Sequence, residues 1–374
     1  MELPFISRAA KKRRNQIMAV DLGTRSTKAV VMEQRGEVLA LKRYAILDAP
    51  IYEKKLSTDL LSEHLRSVTE AMGGITKHTA LAINWTDAVI RQVELPQIPV
   101  EEMRLVMKNN TKGYLQQDLP HHVFDCHIFP PKPPGAGKPA DNNPKPAGAP
   151  KLKVLVAGAK NQLVEDFQAA VKSAGLSPES IVPGIIGPIN AFEAAVPQAF
   201  AGETVALVDI GFKHSSICVL DRGDLVLTRM VGIGGDKLTA GLAEALGVTY
   251  AEAEGVKLGI LPKNASDPNA EIAARELQLS ALGAQVTPLG RELRASLDFF
   301  EHQQDRPVSQ IYVSGAAAKS EPILEMLHAE MIAECKAWNP TTFLQLALPG
   351  QQAVEIEQVG PQLSVAIGAA LAAF

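Results

Sequence analysis

Ile17-Met-Ala-Val-Asp-Leu-Gly-Thr-Arg-Ser-Thr-Lys-Ala-Val-Val31 and Ala206-Leu-Val-Asp-Ile-Gly-Phe-Lys-His-Ser-Ser-Ile-Cys-Val219 are two versions of one pattern. Each is an apolar strand ending in Asp-x-Gly, then a short polar turn, then a second apolar strand. A further landmark follows both. Arg35-Gly-Glu-Val-Leu39 and Arg222-Gly-Asp-Leu-Val226 put a glycine at the next hairpin turn, where a positive φ is required. Residue 209 follows residue 21 by 188 positions, and residue 222 follows residue 35 by 187. One Asp-x-Gly is a common turn, but two landmarks holding nearly the same separation predict a duplicated three-strand unit. Helical material follows each unit, a βββα pattern met twice. The predicted fold class is therefore α/β, two similar lobes, each with a small insertion.

A chain of 374 residues is long for one hydrophobic core, which agrees with two lobes. Its 46% hydrophobic and 21% charged residues exclude wholesale disorder. The net charge of −4 argues against a protein built to coat nucleic acid, and the scattered aromatic residues offer no stacking platform for bases. Cys126, Cys218 and Cys335 are sparse and have no CxxC spacing, so a disulfide framework or zinc ribbon is not expected. His121, His122, Asp125, Cys126 and His127 cluster, but strand alternation would split them between two faces. No stretch is long enough to span a bilayer, and Val359 to Phe374 reads as a buried terminal helix. The basic run Lys11 to Arg14 lacks the apolar segment of a secretory signal, so residues 1–15 read as a solvated tail on a cytoplasmic protein.

Between the two units, Pro130 to Pro150 holds eight prolines and three glycines, which forbids a helix or an interior strand. Strand-like Val123–Phe129 and Leu152–Ala157 flank it, so it reads as a long loop between paired strands. Asn161 is the expected cap of a helix with Leu163, Val164, Phe167, Val171 and Ala174 on one face and Gly175 at its end. Met103, Val106, Met107 and Tyr114 predict another amphipathic helix. Leu289, Leu293, Leu297 and Phe300 predict a third, over Pro288–Gln303.

The two polar turns carry the chemistry. A turn rich in glycine and small hydroxyl residues leaves backbone N–H groups pointing one way, a nest for phosphate oxygens. Gly23, Thr24, Arg25, Ser26 and Thr27 form the first, with Lys28 beside it; Gly211, Phe212, Lys213, His214, Ser215 and Ser216 form the second. Asp21 and Asp209 close the buried strands before them, where a carboxylate is costly unless used. The expected use is to hold a hydrated Mg²⁺ through its water shell. Two related nests predict a phosphate chain held from both sides.

These residues resemble the phosphate motifs of the actin, sugar-kinase and heat-shock chaperone ATPases. Ile311-Tyr-Val-Ser-Gly-Ala-Ala-Ala-Lys319 looks like the adenosine motif, with Gly315 and Ala316 at the base. Ala253-Glu-Gly-Val-Lys257 resembles the segment whose glutamate (here Glu254) and lysine (here Lys257) line the nucleoside pocket. Leu293-Arg-Ala-Ser-Leu-Asp-Phe-Phe300 and Trp338-Asn-Pro340 are similar to the type IV pilus assembly protein PilM family. Glu101–Leu119, Val123–Phe129 and Lys153–Ala174 look like that family's inserted subdomain, shared with the cell-division protein FtsA.

The resemblance, over residues 16–374, implies duplicated actin-like (ribonuclease-H-like) lobes with an inserted α+β subdomain of 1C/SHS2 type. The implied boundaries are 16–83, 181–200 and 355–374 for lobe 1A, and 84–180 for the insertion. Lobe 2A takes 201–247 and 309–354, and subdomain 2B takes 248–308. It implies ATP and Mg²⁺ between the lobes and at most slow hydrolysis, with Glu193 in the place of a water-positioning residue. It also implies a grip on the cytoplasmic N-terminus of a PilN-like inner-membrane protein, possible contact with other pilus or type II secretion components, and a peripheral place at that membrane. Arg25 and Phe212-Lys213-His214 are bulky where the superfamily keeps small residues, and Ser314-Gly315-Ala316 has one glycine for two, which implies looser nucleotide handling. Lys213 could compensate by facing phosphate. The alternatives are a sugar- or acetate-type kinase, against which stands the lack of a general base, and an FtsA-like filament former, against which stands the lack of a basic terminal helix.

Overall fold

The computed structural model describes residues 14–53, 55–130, 151–260, 268–331 and 333–374. The Pro-rich stretch, from residue 131, and the first thirteen residues of the basic tail lie outside the described residues. Strands β1 (Gln16–Leu22), β2 (Ser26–Arg35) and β3 (Val38–Asp48) form an antiparallel meander, and β4 (His78–Ile83) returns parallel to β1. Strands β5 (Ala88–Pro96), β6 (His122–Ile128) and β7 (Lys151–Lys160) make a separate sheet in the order β5-β7-β6. β8 (Ser177–Pro183) rejoins the first sheet beside β4. β9 (Thr204–Ile210), β10 (Ser215–Asp221) and β11 (Asp224–Val231) repeat the meander, and β12 (Gln310–Gly315) returns parallel to β9 with β13 (Glu334–Ala337) beyond it. The two large sheets thus share one path, β3-β2-β1-β4-β8 and β11-β10-β9-β12-β13. The duplication expected from the two Asp-x-Gly stretches is present in the strand order itself.

Local chemistry explains the elements. Ile17 to Val20 are buried on both sides of β1, which is why this central strand reads as a continuous apolar run. Ser57 caps the helix Thr58–Ala71 by accepting from the Leu60 N–H, and Leu61, Leu65 and Val68 bury its inner face. Arg222 and Gly223 both take positive φ (47° and 82°) in the β10–β11 turn, and Gly36 does so (63°) in the β2–β3 turn.

Alternation along β7 joins the insertion to the body. Leu155, Ala157 and Ala159 pack into the core of the first sheet, whereas Val154 and Val156 pack with Met103, Met107 and Phe124 into the insertion's own core. The strands flanking the Pro-rich stretch do pair, β6 antiparallel to β7. The terminal helix Ser364–Leu371 is buried against the helix Ile186–Ala195, so closely that a Cβ on Gly368 would overlap the Gly187 carbonyl oxygen. Among the described residues no helix is long and apolar enough to cross a membrane.

Three expectations need correction. The helix expected from Pro288 begins at Pro268 and runs to Gln304, with Pro288 inside it, because the residues before it have helical propensity and the proline removes only one donor. Asn161 is the first residue of its helix and Lys160 is the cap, with no side-chain cap bond; Gly175, at φ 81°, does follow the helix end. Residues 345–354, expected with the second lobe, lie on the first sheet instead. β14 (Gln345–Leu346) pairs parallel with β3, and the Gln352 amide donates to the Tyr44 carbonyl oxygen at 2.9 Å.

Candidate functional site

The turns after β1 and β9 open on one cleft between the lobes, of about 440 Å³. Asp21, Gly23, Thr24, Arg25, Ser26 and Lys28 line it from the first lobe; Asp209, Gly211, Lys213, Ser215, Glu254, Lys257, Gly315 and Ala316 line it from the second. Two of the sequence-predicted residues are elsewhere. Thr27 is fully buried, its hydroxyl 2.7 Å from the His64 ring Nε2, because alternation along β2 turns it away from its neighbours Ser26 and Lys28. Glu193 is exposed and does not line the cleft, while Pro188 of the same helix does. Five residues along a helix is about 140° around its axis, so the two face apart.

The hairpins are built tightly. A Cβ on Gly23 would lie 2.6 Å from the Ser26 carbonyl oxygen, and one on Gly211 would lie 2.9 Å from that of His214. The Gly211 N–H donates to the His214 carbonyl (3.0 Å), and the Gly235 N–H donates back to the Gly211 carbonyl (2.9 Å). Gly315 adopts φ 90°, and a Cβ there would meet the Ile210 carbonyl oxygen at 2.4 Å. Only glycine lets the adenosine-type strand pass so near the second hairpin.

Asp21 and Asp209 stand one residue from the ends of the corresponding central strands, β1 and β9, of the two sheets and reach the cleft half-buried. Burial pushes the Asp21 carboxyl above its ordinary 3.8, opposed by Lys28, whose Nζ lies 3.4 Å away. Burial likewise pushes Asp209 up, opposed by the Ser314 hydroxyl donating at 2.9 Å and by the charge of Lys28, with Asp21 adding repulsion. The two carboxylates therefore feel each other across the cleft. A pair of desolvated carboxylates beside phosphate-type nests is the donor set that a hydrated Mg²⁺ neutralises, so these residues fit that ion.

Other predicted residues already have partners. Lys213 is paired with Asp236 at 2.5 Å rather than left to face phosphate, and the Tyr250 hydroxyl donates to the same carboxylate at 2.9 Å. Buried Lys257 reaches Glu254 (2.6 Å) and Thr239 (2.8 Å). The Ser215 hydroxyl donates to the Ile233 carbonyl at 2.6 Å. Asp125, from the His/Cys/Asp cluster, is held by Arg104 at 2.7 Å. Sequence reasoning missed Asn84, Trp85, Tyr250 and Lys319, which also line the cleft. Tyr250 had a signal, since it stands four and seven residues before Glu254 and Lys257 on one helix face; Asn84 and Trp85 follow β4 with none.

The family model described as type IV pilus assembly protein PilM matches residues 19–374. The chain belongs to that family. Cell division protein FtsA of Bacillus subtilis (strain 168) is 26% identical over 258 residues, 64% of this chain and 57% of that protein, so the chain spans little more than half of that relative. Among solved structures, a PilM–PilN type IV pilus biogenesis complex is similar over 97% of this chain and 99% of that one, with 19% identity and a TM-score of 0.75. The fold is therefore the actin-like one, as the twin hairpins led us to expect. A structure of MreB 5 of Spiroplasma citri bound to AMPPNP is similar at a TM-score of 0.46, with 13% identity over 96% of each chain. PilM membership supports the pilus-assembly reading over the kinase alternative.

Proposed function

We propose that this PilM-family chain binds ATP with Mg²⁺ in the cleft and couples its occupancy to docking of a membrane partner. The observation that carries the reading is the convergence of both Asp-x-Gly hairpins on one cleft, with glycine at 315 where the nucleoside would enter. The backbone N–H groups of Gly23–Ser26 and Phe212–His214 would hold phosphate oxygens from opposite sides. Asp21 and Asp209 would hold Mg²⁺ through its water shell, which supplies charge neutralisation for the phosphates. Lys28, paired with Asp21, would donate to phosphate as well, and Glu254 with Lys257 would line the ribose side. A ligand touching both lobes stabilises the closed arrangement by its differential affinity for it. Glu193, in the place of a water-positioning acid, is exposed and turned away from the cleft, which favours slow hydrolysis at most.

The partner we propose is the cytoplasmic N-terminal segment of a PilN-like inner-membrane protein, gripped through the inserted subdomain. That contact would keep the chain peripheral at the inner membrane. Its support is the family membership and the likeness to a PilM–PilN complex.

Asp209→Ala tests the cleft. Titration calorimetry with Mg·ATP should show affinity falling by about tenfold or more, with far-UV circular dichroism unchanged. Unchanged affinity would remove the Mg²⁺ role. For the partner, a fluorescent peptide copying a PilN leader should gain anisotropy on adding the protein, and a flat titration would sink that half.

A further inference from the structure

Most cations lining the cleft are already neutralised. Lys28 pairs with Asp21, Lys213 with Asp236, and Lys257 with Glu254. Lys319, beside the adenosine-type strand, and Arg25, on the first hairpin, have no carboxylate partner among the described residues. Arg25 is the one on a phosphate-type turn. Its backbone is fixed, since its carbonyl accepts from the Ala49 N–H at 3.0 Å. Its guanidinium lies over the Phe212 ring of the opposite hairpin, 5.9 Å from the centroid. Lys213 holds the same ring at 5.2 Å and is itself tethered to Asp236. The two bulky departures from the superfamily pattern, Arg25 and Phe212, thus touch each other across the gap between the hairpins.

We infer that Arg25 reads the terminal phosphate of a nucleoside triphosphate, exchanging the Phe212 ring for it, so that the cleft favours ATP over ADP. The inference rests on the nucleotide reading above and adds the residue that sets its selectivity. A guanidinium presents five N–H donors in a rigid fork that matches phosphate oxygens, and such charge-assisted bonds outweigh an exposed cation–π contact. A diphosphate offers no oxygen at that position, and Arg25 then keeps its ring. The stack contributes to closing the hairpins only when the third phosphate is missing, so Phe212 competes with ATP and not with ADP.

Calorimetric titration of the full chain with Mg·ATP and Mg·ADP, with Trp85 fluorescence as a second readout, tests this. The unmodified chain should prefer ATP by about tenfold. Arg25→Ala should bring the two affinities within about twofold by weakening ATP alone, and Arg25→Lys should keep part of the preference. Phe212→Leu should tighten ATP by about threefold and leave ADP unchanged. Equal weakening of both nucleotides in Arg25→Ala, or an unchanged ratio, would overturn the role of Arg25 while leaving nucleotide binding standing. Failure of the unmodified chain to bind either nucleotide at millimolar concentration would overturn the nucleotide reading and this inference together.

Discussion

The two hairpins share a backbone plan but solve the same electrostatic problem differently. On the first, the residue paired with Asp21 across the ladder is Lys28, so the buried carboxylate is neutralised inside its own hairpin. On the second, the residue paired with Asp209 is Ser216, and relief comes from Ser314 on the neighbouring strand and from Lys28 across the cleft. Duplication preserved strand order and turn geometry while one half kept a resident cation and the other did not. The second half is therefore the one whose carboxylate is most in need of an incoming cation. The difference also runs into the parallel neighbours. Asp21 is paired with Ala82 and followed on that strand by buried Ile83; Asp209 is paired with Ser314 and followed by Gly315. A large side chain fits beside the first hairpin, and only glycine fits beside the second.

The largest expected effect tests that last contrast. Gly315→Ala places a Cβ 2.4 Å from the Ile210 carbonyl at φ 90°, and should cost about 3 kcal/mol or more, seen as a fall of roughly 4 °C or more in Tm. A Tm within a degree of the parent would show that the second hairpin is not so tightly pinned.

Asp209→Asn should act in the other direction on the nucleotide-free chain. Because the folded carboxyl is held above its ordinary 3.8, its contribution to stability is complete below that value and is lost as pH rises through the raised one. The amide cannot ionise and can still accept the bond from Ser314, so the variant should be more stable than the parent at pH 7, seen as a higher Tm. The gap should close as pH falls towards 4, and a gap independent of pH would contradict the assignment.

A smaller effect is expected from Ser216→Lys, which gives the second hairpin the resident cation of the first. Its stabilisation should be about 0.5 kcal/mol, a shift of roughly 1 °C, and should be absent when Asp209→Asn is also present. Equal gains in both backgrounds would mean that the new lysine finds some other partner.

Much of this was legible in the chain. Two strand–turn–strand stretches at a common separation encode a topology, because each must bury its apolar strands in a sheet of the same order. The site was legible to the level of the turns and then overextended. Residues 23–28 were all assigned to the cleft, although alternation through Ser26, Thr27 and Lys28 sends the middle one to His64. Helical periodicity would likewise have set Glu193 apart from Pro188. Other outcomes were not accessible. Lys213 is drawn off by Asp236, 23 residues later, and the meeting of Arg25 with Phe212 depends on how the two lobes face each other. Short-range pattern fixes strands, but pairing between the halves is a property of the assembled cleft.

Hydrogen exchange of the full chain, with and without Mg·ATP, tests the central claim most directly. Two hairpins closing on one phosphate chain predict slowed amide exchange in residues 22–28 and 210–216 together, at the same nucleotide concentration. Protection confined to one hairpin, or absent from both at saturating nucleotide, would contradict it.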